Sequence, residues 1–249
     1  MDQSPNAIAE HLAHDLAADT IGIALTGSIA TGTDHPDSDI DLIAIAQAGR
    51  DDQTQSLAGR LVTITWTTLE DANGAFDQPW SAGQAVPGWR DARILHDPTG
   101  ALAALKDRAR NWQWDDIAAA ADRWAGATLV GLAEEVHKVH GMLATGAPRA
   151  AAANRDLIAL QLPGALAAAD RILYGSENRL WDLVCQAEGE AWARAWDTAT
   201  GIKTASFEDS CRAALTLYRL AADRLKGHLE ASERPIVEVA CNLTGRPQS

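Results

Sequence analysis

Asp39 and Asp41 stand two residues apart at the head of an apolar run, Leu42 to Ile45. In an extended strand, residues i and i+2 project to the same face, so both carboxylates point one way while Ile40 and Leu42 point the other, toward a core. Two carboxylates held side by side on a rigid strand make a hard-oxygen site suited to Mg²⁺. Phosphoryl chemistry uses such a cation to neutralise phosphate oxygens and to align the attacking and leaving atoms. Upstream, Gly27-Ser28 supplies the complementary half. Glycine lets the backbone approach a phosphate closely, the N–H groups at a helix start favour anions, and Ser28 adds a hydroxyl donor. An isolated Asp-x-Asp is most often a solvated strand end, and an isolated Gly-Ser most often a turn. The two together, spaced by a short helix and a loop through Pro36, point to phosphate binding.

These residues need a scaffold, and the flanking pattern describes one. Residues 4–18 place Ile8, Leu12 and Leu16 beside Ala9, Ala13 and Ala17 at helical spacing, which predicts an amphipathic first helix. Strands are predicted over Thr20–Thr26, Asp39–Ile45, Leu61–Thr67 and Arg93–His96, with Gln47–Gln55 as a polar link. The Gly- and Pro-rich stretch 73–92 reads as a loop crossing with short turns. A helix from about Ala101 closes a first domain over residues 1–110. After Trp112 the β pattern ends. Ala-rich helical runs are broken at Gly146-Ala147-Pro148, Pro163-Gly164, Gly175-Ser176, Gly189, Gly201 and Pro235. They predict a bundle of five to seven helices over residues 111–249, with Trp112, Trp114, Trp124, Trp181, Trp192 and Trp196 mostly in its core. The fold class is therefore α+β: a small mixed β-sheet domain followed by an all-α helical bundle.

Charge and composition narrow the partners. The net charge is −13, and residues 1–100 carry only 4 Lys/Arg against 15 Asp/Glu. So acidic a surface argues against nucleic acid as a partner; it would draw in a cationic small molecule, and it equally fits acid that serves solubility alone. No apolar run reaches the length of a membrane span. The first residues are acidic and lack a basic n-region, which predicts a cytoplasmic protein without an export signal. Cys185, Cys211 and Cys241 lack metal-ligand spacing and read as small buried thiols in a reducing compartment.

A second group lies on a long helix predicted from about Asp115 to Ala144. Leu129, Leu132, Val136, Val139 and Leu143 form the bundle-facing stripe, and Glu134 and Lys138 fall on the opposite face, one turn apart. By spacing alone they are a surface pair of about 0.2–0.5 kcal/mol. His137 and His140 form an H-x-x-H without a third ligand at helical spacing, so a metal there is not predicted.

The Gly27-Ser28 and Asp39-x-Asp41 arrangement resembles the nucleotidyltransferase domain of the polymerase-β superfamily. The segments EEVHKVHGMLATGAPRA and LAAADRILYGSENRLW resemble the helical domain of the kanamycin nucleotidyltransferase family, which adenylates aminoglycosides. The resemblance implies Mg²⁺ on Asp39 and Asp41, ATP (or another nucleoside triphosphate) as co-substrate, and transfer of AMP to a hydroxyl of a small acceptor of aminoglycoside type. It implies nucleotide contacts from Gly27, Ser28, Thr31 and Lys138, and a catalytic Glu134 that takes the hydroxyl proton. It also implies a homodimer with a shared cleft between domains, and matches Gly146, Pro148, Arg171 and Tyr174 to the family pattern. Three departures stand out. Thr63 occupies the strand position where many members carry a third metal carboxylate. Thr31 replaces a frequent basic residue. Val130 and Gly131 stand where acidic residues precede the catalytic Glu, with Glu135 as a substitute. These departures keep open a protein-adenylating enzyme of antitoxin type and a nucleotide-binding homologue with weakened turnover.

Overall fold

A computed structural model of the chain describes residues 4–245. The first helix, α1 (Pro5–Leu16), begins where the Ser4 hydroxyl accepts the Ala7 N–H at 3.3 Å and Pro5 takes the first helical position, which needs no N–H. A 3-10 turn at Ala17–Asp19 leads into β1 (Gly22–Thr26), the single-turn helix α2 (Gly27–Thr31) and β2 (Ile40–Ala46). Then follow β3 (Gln53–Leu57), β4 (Arg60–Thr68), α3 (Leu69–Gly74), α4 (Pro79–Asp91), β5 (Arg93–His96) and α5 (Ala101–Asn111). The strands form one mixed sheet in the order β3-β4-β2-β1-β5, in which only β2 and β4 run parallel. Ile23, Leu25, Ile40, Leu42, Val62 and Ile64 on one face pack against Ala9, Leu12 and Ala13 of α1 in a shared core. The strand alternation that buries them turns Thr26, Asp41 and Thr63 to the other face, where they stay half-exposed.

The sheet has five strands where the sequence predicts four. The extra strand, β3, lies within and beyond the predicted polar link. All five of its residues escape burial, so it shows no apolar alternation. It pairs with β4 through a turn at Ala58 and Gly59, both with positive φ (52° and 76°), the geometry of a tight hairpin. The stretch 73–92, predicted as a loop, is mostly helix. Pro79 sits at the start of α4, and although Pro87 lies inside it, burial of Ala82, Val86 and Trp89 holds the helix together.

The chain divides into two compact units between Asp116 and Ile117. The second unit contains, among the described residues, seven α-helices: α6 (Ala118–Gly131), α7 (Ala133–Ala144), α8 (Pro148–Ala169), α9 (Glu177–Glu188), α10 (Glu190–Thr200), α11 (Phe207–Leu225) and α12 (Arg234–Thr244). The predicted long helix is thus two helices, α6 and α7, joined at Leu132. In contrast, the predicted break at Pro163-Gly164 does not occur. Pro163 is buried within a continuous α8, flanked by buried Leu162, Ala165 and Leu166. Trp192 is fully buried and Trp181 stacks on Trp196 at 5.7 Å, whereas Trp112 and Trp114 belong to the first unit, edge to face at 5.1 Å. A partly buried acidic cluster ties three helix ends together. Arg224 of α11 pairs with Asp170 just past α8 and approaches Glu188, the last residue of α9, at 3.8 Å. Burial, then a hydrogen bond and charge from Asp170, push the Glu188 carboxyl up to about 7 despite Arg224. No helix among the described residues is long and apolar enough to cross a membrane.

Candidate active site

The turn from β1 into α2 is built around Gly27. Its φ of +69° is one that side-chain-bearing residues rarely adopt, and a Cβ there would lie 2.5 Å from Asp41 Oδ2. The register that causes this pairs Thr26 with Asp41 across antiparallel β1 and β2. The Thr26 hydroxyl donates to the Asp41 carbonyl at 3.4 Å. Ser28 follows, half-buried, and Gly32, with φ +69°, ends the turn of helix. Thr31 is exposed, and its hydroxyl lies 3.0 Å from the Ser28 carbonyl and 2.8 Å from the Thr33 hydroxyl, so it also braces the end of α2.

Asp39 enters β2 from a tightly fastened loop. The His35 N–H donates to the Ser38 hydroxyl and the Ser38 N–H to the His35 carbonyl, both at 2.9 Å. The Asp37 N–H donates to His35 Nδ1 at 3.2 Å, and Arg60 Nη1 donates to the Ser38 carbonyl at 3.1 Å. Ser38 is buried, one of two buried polar side chains among the described residues. These contacts fix where the strand, and with it Asp39, begins. Sequence reading missed Ser38 and Arg60. The Pro36-Asp37-Ser38 turn chemistry points to the former, but nothing local points to an arginine on β4.

The two carboxylates lie close enough to feel each other. The Asp41 carboxyl is held above the ordinary range, mainly by burial and further by the charge of Asp39. No Lys, Arg or His among the described residues forms an ion pair with either. An uncompensated, half-buried pair of hard oxygen donors fits a divalent cation, which Asp39 and Asp41 would hold. The neighbouring strand adds no charge. Parallel register sets Thr63 opposite Asp41, and no group of three or more acidic, His or Cys side chains suited to a metal occurs among the described residues.

In the second unit, α7 buries Val136 and Val139 and turns Glu134 and Lys138 outward. Lys138 Nζ lies 2.9 Å from Glu134 and 3.5 Å from Glu135, whose side chain is more buried. The hydrogen bond that Lys138 donates to Glu134 leads the effects that raise its ammonium above the ordinary value. Beside Glu134 an open groove of about 650 Å³ is walled by Val130, Ala133 and His137, with Ile236 and Val239 of α12. The α12 wall has no signal near Glu134 in the sequence. Arg171, with φ +61° past the end of α8, donates to Asp122 at 2.6 Å and to backbone carbonyls, an anchor between helices α6 and α8. Tyr174 packs half-buried against the bundle core. The structure brings Gly27, Ser28, Thr31, Asp39 and Asp41 together in the first unit, and pairs Glu134 with Lys138 in the second.

Residues 7–67 match the family model described as nucleotidyltransferase domain, a span from α1 through most of β4 that holds Gly27, Ser28, Asp39 and Asp41. No curated protein matches the chain. A crystal structure of a nucleotidyltransferase-like protein from Exiguobacterium sibiricum 255-15 is similar in fold. Its TM-score is 0.50 and its identity 14%, covering 89% of this chain and 74% of that one. The glycine turn and the paired carboxylates thus lie inside the segment that matches the nucleotidyltransferase-domain model, and that match supports a transferase acting in nucleotidyl transfer.

Proposed function

We propose that the protein is a cytoplasmic homodimer that transfers AMP from ATP to a hydroxyl of a small acceptor, with an aminoglycoside as the acceptor class. The observation that carries the reading is the uncompensated Asp39–Asp41 pair set against the Gly27 turn. Asp39 and Asp41 hold Mg²⁺, which when bound supplies charge neutralisation at the triphosphate. Gly27, Ser28 and Thr31 receive the phosphates, and Lys138 offsets their charge. Glu134, 73% exposed in its side chain, accepts the acceptor's hydroxyl proton. The freed oxygen forms a bond to the α-phosphorus, the bond to the bridging oxygen breaks, and pyrophosphate leaves. The acceptor class rests on the resemblance of the helical segments and on the excess acid of residues 1–100.

The test is purified protein with radiolabelled ATP and Mg²⁺ against a panel of aminoglycosides and lincosamides. The expected result is a labelled product with one and loss of label with Asp41→Asn. Absence of product across the panel, with wild-type protein that binds ATP, overturns the acceptor assignment. Thr63 opposite Asp41 favours a second reading, a nucleotide-binding protein with weakened turnover. That reading predicts ATP binding by calorimetry without pyrophosphate release for any acceptor. Label transferred to a co-purifying polypeptide would instead identify a protein-adenylating enzyme.

A further inference from the structure

Asp41 is flanked on both neighbouring strands by threonine. Thr26 of β1 and Thr63 of β4 are its register partners, and Thr54 of the edge strand β3 extends the row beyond Thr63. Paired positions on adjacent strands share a face, so these hydroxyls line the same open surface as the carboxylate. The Thr26 hydroxyl is occupied by the Asp41 carbonyl. Two acids farther along the sheet have partners of their own. Asp52 accepts the Trp66 N–H at 2.9 Å, and Asp71 accepts the Thr68 hydroxyl at 2.7 Å. The register thus sets neutral hydroxyls on both sides of Asp41, and among the described residues no group of three or more acidic, His or Cys side chains suited to a metal forms.

Cation affinity at oxygen sites follows the number of anionic ligands, and Mg²⁺ gives up its water reluctantly unless phosphates complete its shell. From this shortfall we propose that Thr63 makes cation binding obligately coupled to nucleotide: the site does not load a divalent cation by itself and takes it together with the triphosphate. This rests on the nucleotidyl-transfer reading above. Thr63 acts here as a specificity residue for the order of loading. A carboxylate in its place would let the cation bind first.

Mn²⁺ and a non-hydrolysable ATP analogue are the probes, with free Mn²⁺ followed by electron paramagnetic resonance and analogue binding by calorimetry. Wild-type protein should bind Mn²⁺ alone no tighter than about 1 mM, and Mn²⁺ should tighten analogue binding by about 10-fold or more. Thr63→Asp should bind Mn²⁺ alone at least about 10-fold tighter than wild type. Its melting temperature should fall in chelator, from the added like charge, and recover with Mn²⁺. Wild-type protein that takes Mn²⁺ alone at micromolar concentration overturns the proposal, as does a folded Thr63→Asp with unchanged Mn²⁺ affinity. If Thr63→Asp does not fold, the wild-type titrations alone decide. Failure of the analogue to bind with or without Mn²⁺ overturns the underlying nucleotidyl reading as well, a result distinct from tight binding of Mn²⁺ alone.

Discussion

Asp41 Oδ2 occupies the space into which a side chain on Gly27 would grow, 2.5 Å from where its Cβ would be. The two residues are therefore chosen together: the carboxylate can lean over the turn only because nothing projects from it. Gly27→Ala meets both a positive φ and this clash, and should destabilise the first unit by about 1–3 kcal/mol. Nucleotide affinity should fall more than thermal stability does. Calorimetric ATP binding, measured beside a melting curve, separates the two effects.

Asp41→Asn should cost transfer well over about 100-fold while leaving the fold intact or firmer. The firmness has a direction in pH. The Asp41 carboxyl is raised by burial and by Asp39, so the folded chain binds its proton more tightly than the unfolded chain does. Stability from this group is then lost as pH rises through the carboxylate range. Thermal melts from about pH 4 upward should show the wild type falling behind Asp41→Asn, with the gap level near neutrality.

Glu134 sits on an exposed helix face, paired with Lys138 at 2.9 Å. Glu134→Gln should leave stability within about 0.5 kcal/mol and slow transfer by about 10²–10⁴-fold with little change in ATP affinity. Single-turnover rates at saturating ATP test this. An unchanged rate would remove Glu134 from its role as base.

The cluster of Glu188, Asp170 and Arg224 gives the helical unit its own pH response. Glu188 is raised from the ordinary 4.5 to about 7, chiefly by burial, so the folded form holds a proton that the unfolded chain releases. Stability should decline as pH rises from 4.5 to about 7 and level off above that. Glu188→Gln should flatten this slope. Denaturant midpoints measured across the window, in both forms, check it.

Elements with a strong local pattern were legible in the sequence. β1, β2, β4 and β5, and the Gly27 turn with its two carboxylates, lie within two residues of their predicted bounds. What escaped was decided by tertiary contact. β3 has no buried residue to betray it and forms because β4 offers a free ladder. In α4 and α8 the prolines Pro87 and Pro163 read locally as breaks, yet buried neighbours keep both helices whole. Leu132 carries no breaker chemistry, so the junction of α6 and α7 had no sign. Arg60 was invisible as a fastener because its partner, Ser38, is distant in sequence. No assignment of Glu134 or Lys138 rests on local pattern, since their spacing alone describes an ordinary surface pair.

The hairpin that adds β3 also decides what the protein shows to its neighbours in a crowded solution. Without that strand, the outermost ladder would belong to β4, whose Val62, Ile64 and Trp66 are buried and whose Leu61 is already half in water. Such a segment, rich in β-branched and aromatic residues, is a template for aggregation. Gln53, Thr54, Gln55 and Ser56 place a hydrophilic selvage over it. The strand thus guards the sheet edge with four exposed polar residues, while Leu57 at its end packs against the core.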